Sequence, residues 1–280
     1  MVTEDTLPVV AEGHLHLFKK CLPLRLKLHE IVRLVGKVLD SQVCLDIGLD
    51  NGMMSYQLRK LGGEWHTVVS SAELVDSIRA VVKDNVHDLK NETLPFKQKV
   101  FDIIVVADIL ERLHSDEQFI SECHRVLKHD GKIVIVASRV KSGSFINVLR
   151  SLLGLAPDKM GKVRRGYTES QLFNILKHGF DVDNMRSYTR FFVELVDTVA
   201  RFLDMRYRVE GMEKTEKWHR MYSIAGFFYR IADQMDMLLF LTRGYKLVAS
   251  AKRRAWHPRN APVLVDGRSI SEAVLSKAAD

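Results

Sequence analysis

The stretch VCLDIGLDNGMMSYQL, residues 43–58, decides the fold of this 280-residue chain. Its first six residues form a short apolar run, which is typical of a buried strand. A turn with glycines at positions 48 and 52 follows, and a helix is expected at about 53–61, ending at Gly62-Gly63. Glycines let the backbone approach a ligand closely, and a helix start offers free N–H groups. Two glycines in such a turn are a weak signal alone, so the rest of the chain has to support it.

Strands and helices alternate along most of the chain. One or two helices are expected at 14–39, before the glycine turn. Further strands are expected at 65–70, 101–110, 132–138, 180–191 and 245–253, and further helices at 72–83, 116–128, 142–157 and 168–179. This rhythm predicts an α/β fold, with a doubly wound, mostly parallel sheet. Ligands of such sheets bind at the carboxyl ends of the strands, near the point where the strand order reverses.

The domain organisation follows from the same pattern. Residues 1–39 form a helical lead-in, 40–191 the core, 192–242 a helical insertion or cap, 243–254 the last core strand and 255–280 a tail. Between Met221 and Leu239 of the insertion, apolar residues recur at spacings of three and four. Trp218, Tyr222, Phe227 and Tyr229 widen this apolar stripe. Such a helix packs onto its own domain, covers the cleft as a cap, mediates a dimer or lies in a membrane interface.

The composition indicates a globular protein with an uneven charge. Apolar residues make up 46% of the chain and charged residues 28%, which argues against disorder. The net charge is +7, and residues 201–259 alone hold thirteen Lys or Arg against six Asp or Glu. Such a segment suits phosphates, anionic lipid head groups or acidic glycans, or it is simply a solvated helical face. Because no basic-aromatic motif or known reader module accompanies the charge, we expect no nucleic-acid partner.

The chain start and the cysteines indicate a cytoplasmic protein. MVTEDTLPVV carries acids where a secretory signal would have Lys or Arg, and no stretch approaches the roughly 20 apolar residues of a membrane span. Cys21, Cys44 and Cys123 have neither metal-ligand spacing nor an even count, so we expect no metal site. Cys44 and Cys123 fall in apolar patterns and are expected in the core. The protein is at most peripheral to an anionic membrane.

Two later segments strengthen the signal of the glycine turn, FDIIVVADILERL at 101–113 and FISECHRVLKHDGKIVIVAS at 119–138. With residues 43–58 they resemble the class I S-adenosylmethionine-dependent methyltransferases, in particular the type 11 group. Its pattern is D-x-G-C-G-x-G, then LPF before a strand FD-x-V, then LEH, then RVLKPGG. The matching residues are Asp46, Gly48, Gly52, the LPF at 94–96, Phe101-Asp102, Leu110-Glu111, the RVLK at 125–128 and Gly131. The resemblance implies a seven-stranded sheet with an antiparallel last strand, and S-adenosylmethionine as cofactor.

The resemblance also implies roles for individual residues. Asp46 would hold the turn or the amino group of the cofactor. The 48–52 turn would face its methionine and ribose parts, and the residues around Ala107–Ile109 would line the cleft. Where this sequence lacks a residue of the family pattern, the residue at or next to that position is the candidate instead. The cofactor-binding candidates are Asp46, Gly48, Asp50, Asn51, Gly52, Ser70, Glu92 and Asp108.

Four positions depart from the family pattern. The middle glycine of the turn is Asp50, and the second strand ends in Val69-Ser70-Ser71 instead of an acid that accepts both ribose hydroxyls. Glu92 stands one or two places after the acid expected for the adenine amino group, and LEH has become LER, with an Arg112 that cannot act as a base. Each departure costs about 1–3 kcal/mol of ligand binding, by analogy with a lost polar contact. A catalytically silent binding or scaffold protein on the same fold is therefore the alternative function.

Acceptor-binding residues are expected in the basic loop at 160–168. Lys162, Arg164, Arg165 and Tyr167 could grip an anionic acceptor, or the loop is merely solvated. Glu111 is the candidate proton acceptor, with a first-turn acid near a helix start as the alternative. Methyl transfer needs little acid–base chemistry, because alignment of acceptor and methyl supplies most of the rate. The leading hypothesis is a methyltransferase of a small, or lipid- or glycan-linked, acceptor.

Overall fold

The computed structural model describes residues 9–48, 52–70, 72–141, 143–209 and 216–255. The strands are β1 (Val43–Gly48), β2 (Glu64–Val69), β3 (Val86–Asp88), β4 (Phe101–Ala107), β5 (Leu127–Ser138), β6 (Phe180–Tyr188) and β7 (Lys246–Arg253). The helices are α1 (Val9–Lys20), α2 (Leu22–Val35), α3 (Met53–Arg59), α4 (Ala72–Val82), α5 (Asp116–Val126), α6 (Phe145–Leu152), α7 (Glu169–Leu176), α8 (Phe191–Val209) and α9 (Glu216–Leu238). A short 3₁₀ turn spans Leu110–Arg112.

All seven strands belong to one sheet, in the order β3-β2-β1-β4-β5-β7-β6. Strands β1 to β5 pair in parallel, and β7 runs antiparallel to both β5 and β6. The predicted doubly wound, mostly parallel α/β fold is therefore confirmed. The strand order reverses between β1 and β4, so the glycine turn after β1 lies at the switch point where such sheets bind ligands.

Helices cover both faces of the sheet because the central strands are apolar on both sides. In β4, Ile104 and Val106 pack with residues of α5 and α7, whereas Ile103 and Val105 pack with residues of α2, α3 and α4. Cys44 and Cys123 are fully buried in these cores, as predicted. Burial raises the pKa of the Cys44 thiol to about 12, which makes it a structural residue rather than a nucleophile.

Three local differences from the sequence prediction have physical reasons. Strand β3 was not predicted, since three residues show no periodicity. Helix α6 spans eight residues rather than the sixteen of 142–157. Strand β5 begins at Leu127, so the expected turn at 129–131 lies within an extended segment. Gly131 is required there because an added Cβ would lie 2.7 Å from Cγ of Leu127.

Helices α8 and α9 occupy the segment between β6 and β7 and pack on each other. The predicted apolar stripe of α9 divides into two faces. Trp218, Met221, Tyr222, Ala225, Tyr229 and Ala232 are buried, whereas Ile224, Phe227, Phe228, Ile231, Met235 and Leu238 are exposed. The carboxylate of Asp236 accepts the N–H groups of Phe192 (2.8 Å) and Val193 (3.1 Å) at the start of α8. Within the described ranges, no helix has both the length and the apolar character needed to cross a bilayer.

Candidate functional site

The carboxyl ends of five parallel strands bring the site residues to one edge of the sheet. The strand register sets Gly48 of β1 beside Val69 of β2, and Val69 beside Asp88 of β3. On the other side of the switch point, Ala107 of β4 lies beside Val136 of β5, two residues before Ser138. Residues far apart in the sequence are thus neighbours along this edge.

The two glycines of the turn, Gly48 and Gly52, have different structural roles. Gly52, the N-cap of α3, has a left-handed φ of +82°, which favours glycine over any residue with a side chain. An added Cβ would lie in contact with Ile78 and Val81 at 3.4 Å. Among the described residues, an added Cβ on Gly48 would meet only Ala107, whose carbonyl oxygen would lie at 3.6 Å and whose Cβ at 4.0 Å, both ordinary contacts. The bare backbone at Gly48 is therefore available to a ligand. The candidates Asp50 and Asn51 lie outside the described residues.

Asp46 links the end of β1 to β2 and to the start of α3. Its buried carboxylate accepts hydrogen bonds from the hydroxyl of Ser55 in α3 and from that of Thr67 in β2, the latter at 2.9 Å. The guanidinium of Arg59 lies 3.6 Å away. These contacts tie the start of α3 to β1 and β2. Of the two roles expected for Asp46, they correspond to the first.

An acid that the sequence analysis missed stands at the end of β3. Ser70, directly after β2, is exposed and offers one hydroxyl. Asp88 lies beside the end of β2 and is half-buried, with the ammonium of Lys90 3.6 Å from its carboxylate. The only sequence signal for it is an acid six residues before LPF. An acid thus stands beside the end of β2, although β2 itself ends without one.

Glu92 contacts the protein's own backbone. Its carboxylate accepts the N–H groups of His114 (2.6 Å) and Ser115 (3.1 Å) in the loop before α5. Of the two acids, Asp88 and not Glu92 ends a strand at the ligand edge of the sheet.

A group of charged side chains, which we call the lysine cluster, lies at the ends of β4 and β5. It consists of Lys27, Lys162, Lys246, Asp108, Glu111 and Ser138. The carboxylate of Asp108 accepts hydrogen bonds from Nζ of Lys27 at 2.7 Å and from Nζ of Lys246 at 3.1 Å. The hydroxyl oxygen of Ser138 accepts hydrogen bonds from Nζ of Lys162 at 2.9 Å and from Nζ of Lys246 at 3.3 Å. Glu111 completes the cluster, with Oε1 3.9 Å from Nζ of Lys162.

The electrostatics of the cluster are set by burial and by its own charges. Burial alone would raise the pKa of Asp108, but Lys246 and Lys27 outweigh it and hold that pKa well below its ordinary value. Burial, followed by the neighbouring Lys246, lowers the pKa of Lys162 to about 8. Asp108 is therefore ionised, whereas Lys162 changes its charge near neutral pH.

Of the four predicted acceptor-binding residues, only Lys162 joins the cluster. Arg164 forms an ion pair with Asp116, and the hydroxyl of Tyr167 donates to the same carboxylate at 2.8 Å. These two side chains hold the loop against the start of α5. Arg165 is exposed to solvent.

Glu111 is fully buried, and its Oε1 accepts the backbone N–H of Ser138. Its carbonyl oxygen also accepts the N–H of Arg164 at 3.1 Å. These contacts hold Glu111 between β5 and the 160–168 loop, and its buried Oε2 has no hydrogen-bond partner within the described residues. Among the residues with described placement, no three His, Cys, Asp or Glu side chains group as metal ligands.

Comparison with known proteins agrees with this geometry. The family model described as a methyltransferase domain matches residues 45–135. The chain is 27% identical over 123 residues to the mitochondrial ubiquinone biosynthesis O-methyltransferase of Rattus norvegicus, covering 40% of this chain and 35% of that protein. It is 30% identical over 105 residues to the ubiquinone/menaquinone biosynthesis C-methyltransferase of Blochmanniella pennsylvanica, covering 34% and 41%. The matches thus span less than half the length of these curated relatives.

Among solved structures, the fold is similar to phosphoethanolamine N-methyltransferase 2 of Haemonchus contortus, in complex with phosphomonomethylethanolamine and S-adenosylhomocysteine. The TM-score is 0.57 at 16% identity, and the similarity covers 82% of this chain and 53% of the other. At this identity the likeness concerns the fold alone. The sheet order and the glycine turn at the switch point are those of the class I methyltransferase fold, and within this fold residues 45–135 match the methyltransferase-domain family model.

Proposed function

We propose that the protein transfers a methyl group from S-adenosylmethionine to an acceptor. The observation that carries this proposal is the Gly48–Gly52 turn, which lies at the switch point of the sheet and leads into α3. Support comes from the methyltransferase domain match and from the two curated relatives, both named as methyltransferases. The sheet edge around the turn carries polar groups suited to an adenosyl ligand.

The residues at the edge fit the cofactor, with one weaker contact than the family pattern. Gly48 would allow the ligand to approach the backbone, and Asp88 and Ser70 would accept hydrogen bonds from its ribose or adenine. A cavity of about 10 Å³ below the turn, between Gly48, Ser55 and Ala107, holds no more than one water molecule. The cofactor would therefore lie across the open edge of the sheet, outside the strand ends. Bound there, it supplies a methyl group on a sulfonium, from which a neutral thioether is the good leaving group.

The chain's own part in the reaction is alignment and electrostatics. Asp46 fixes the turn through α3 and β2, and the lysine cluster surrounds the next position along the edge. Holding the acceptor in line with the methyl group supplies most of the rate of such a transfer. A dedicated catalytic dyad is not required.

The experiment is a thermal shift with 1 mM S-adenosylhomocysteine. A dissociation constant of about 10 µM would add about 2.7 kcal/mol to the free energy of unfolding. For a chain of this size that is a rise in Tm of roughly 5–10 °C. ATP at the same concentration is the control ligand and should leave Tm nearly unchanged. An absent shift with S-adenosylhomocysteine would contradict the proposal.

We further propose that the acceptor is partly apolar, such as a lipid- or glycan-linked molecule, and is reached at an anionic membrane surface. The exposed face of α9 includes Phe227 and Phe228, with 61% and 51% of their surface accessible. Lys217, Arg220 and Arg230 are exposed on the same helix. Apolar side chains flanked by basic ones are the combination that binds anionic lipid interfaces.

Flotation with liposomes, with and without anionic lipid, tests the membrane proposal. The wild type should float with anionic liposomes in a salt-sensitive way, and Phe227→Glu/Phe228→Glu should not. Leu39→Glu, at another exposed apolar position, is the matched control and should float like the wild type. If the double variant floats as well as the wild type, α9 is not the membrane contact.

A second candidate function is a non-catalytic binding protein on the same fold. It is favoured by the end of β2, where a neutral serine replaces the acid of the family pattern. A neutral hydrogen bond is about half as strong as a charge-assisted one. Folded protein that shows no shift with either S-adenosylmethionine or S-adenosylhomocysteine would support this second function.

A further inference from the structure

The lysine cluster carries more positive than negative charge. Its three ammonium groups, on Lys27, Lys162 and Lys246, face the two carboxylates of Asp108 and Glu111. Among these five side chains there is one ammonium group more than there are carboxylates. Lys162 has the weakest contact with a carboxylate, because Asp108 lies 2.7 and 3.1 Å from the other two lysines, whereas Glu111 is 3.9 Å from Lys162.

Acids near the cluster do not balance this excess, because each already has a basic partner. On α8, Glu194 pairs with Arg150, and Asp197 pairs with Arg201 at 2.6 Å. On α2, Glu30 pairs with Arg186 and with Arg33. These acids are therefore matched by at least as many arginines and add no unpaired negative charge to the cluster.

Holding this excess charge in a half-buried position has a physical cost. The side chains of Lys27, Lys162 and Lys246 keep only 13%, 21% and 18% of their surface exposed. A buried charge without a close partner is unfavourable, and an incoming anion would remove that cost. Two ammonium groups already converge on one oxygen, the hydroxyl of Ser138, which is the geometry that an oxyanion needs from its donors.

The position of the cluster relates it to the reaction. Asp108 follows directly after Ala107, whose carbonyl oxygen lies against the Gly48 position of the turn. Lys246 begins β7 and pairs in register with Ser138, the last residue of β5. The cluster thus lies next to the proposed cofactor site along the same edge of the sheet, on the side covered by the 160–168 loop.

We propose that the lysine cluster binds a singly charged oxyanion of the acceptor, a carboxylate or a phosphodiester, and so holds the acceptor beside the methyl donor. Lys162 is the principal ligand, supported by Lys246 through Ser138. This inference rests on the proposed function for its catalytic meaning. The anion site itself is a property of the free protein and can be measured without any cofactor.

The test uses benzoate and dimethyl phosphate as probes, each a single negative charge that does not titrate between pH 6.5 and 9. Their binding is followed by NMR through the ¹³Cε signal of labelled lysines, in wild type, Lys162→Met and Lys159→Met. Lys159 is exposed in the same region, so its variant is the matched control. Lys162→Met leaves the buried Glu111 without its nearest cation, so the fold of the variant is checked by circular dichroism, and the titration of the Lys162 signal in the wild type tests the site independently of the variant. We expect its affinity for the preferred probe to be at least tenfold weaker than that of the wild type and of Lys159→Met.

Titration of Lys162 provides a second readout. The free ammonium should titrate near pH 8, as set by burial and by Lys246, with Glu111 and Asp108 opposing and Arg201 on α8 adding to the shift. Bound anion should raise this midpoint by about one unit, since a tenfold coupling equals one pKa unit. The sign follows: the anion binds more tightly at pH 7 than at pH 9, and Lys162→Met loses this pH dependence.

The outcomes separate the two proposals. Preference for benzoate identifies a carboxylate acceptor, and preference for dimethyl phosphate identifies a phosphodiester. If neither probe moves the Lys162 signal while S-adenosylhomocysteine still stabilises the protein, the anion site is wrong and the proposed function stands. If the probes bind but S-adenosylhomocysteine does not, the proposed function fails and the anion site remains.

Discussion

Replacing Thr67 with valine tests the hydrogen bonds that hold the glycine turn. Thr67 is buried in β2, donates to the carboxylate of Asp46 at 2.9 Å and accepts from the guanidinium of Arg59 at 2.9 Å. Valine has nearly the same shape and suits a strand, so the change removes the hydroxyl and little else. It leaves a buried carboxylate with one donor fewer.

Hydrogen bonds to charged groups contribute about 1.5–3 kcal/mol to stability. We expect Thr67→Val to lower the free energy of unfolding by about that amount. For a chain of this size it corresponds to a fall in Tm of roughly 3–12 °C. Urea titration gives the free energy and calorimetry gives Tm. The affinity for S-adenosylhomocysteine should fall as well, because Asp46 positions the start of α3.

Thr93→Val is the matched control for this substitution. Thr93 is exposed, and its hydroxyl contacts only a backbone carbonyl at 3.3 Å. The free energy of unfolding of Thr93→Val should differ from that of the wild type by less than about 0.5 kcal/mol. If Thr67→Val is as stable as Thr93→Val, the hydroxyl–carboxylate network around Asp46 does not stabilise the turn, and the role assigned to Asp46 is wrong.

Three further predictions concern other parts of the molecule. Gly52→Ala, at a left-handed φ, should lower the free energy of unfolding, measured in urea, by about 1–2 kcal/mol. Gly48→Ala should change it by less than about 0.5 kcal/mol. Equal losses in the two variants would contradict the different roles assigned to the two glycines. The hydrogen bond from Arg125 lowers the pKa of Glu122 below 4.5, so its stabilising contribution is present above that pH and is lost as the pH falls. Glu122→Gln should therefore lose less stability than the wild type between pH 6 and pH 3.5 in urea, and an equal loss would count against it. Asp236→Ala should cost about 1–2 kcal/mol in thermal melts because it uncaps α8, and Asp233→Ala on the exposed side of the same helix should cost almost nothing.

The central sheet could be predicted from the sequence because its strands are long apolar runs. The runs that became β1, β4 and the end of β5 are buried on both faces and could hardly be anything else. Strand β3 could not be found in this way, since VHD is too short to show a period. The acid that ends it, Asp88, was missed for the same reason.

The candidate site was only partly predictable because its charged groups come from distant parts of the chain. Lys27 and Lys246 meet on Asp108, although they belong to α2 and β7, at opposite ends of the described chain. No local pattern marks either lysine. Lys162 was identified in its loop, but its neighbours Arg164 and Tyr167 pair with Asp116 of α5, a contact that depends on the fold.

The apolar stripe of α9 shows what helical periodicity can and cannot establish. The spacing correctly predicted an amphipathic helix, and Trp218 and Tyr229 are indeed among the largest buried side chains. The same spacing placed Phe228 and Ile231 in the stripe, yet both are exposed. A stripe wider than one helix contact leaves part of its surface outside the core, and periodicity does not tell which part.

Calorimetry with S-adenosylhomocysteine on wild type and Gly48→Val tests whether the glycine turn after β1 binds the cofactor. An added Cβ at Gly48 makes only ordinary contacts, with Ala107, among the described residues. Gly48→Val extends from this Cβ into the space that the ligand needs, and circular dichroism checks that the variant is folded. We expect micromolar or tighter binding to the wild type and no detectable heat with a folded Gly48→Val. Absence of binding to the wild type at millimolar ligand, or equal binding to both proteins, would contradict this expectation.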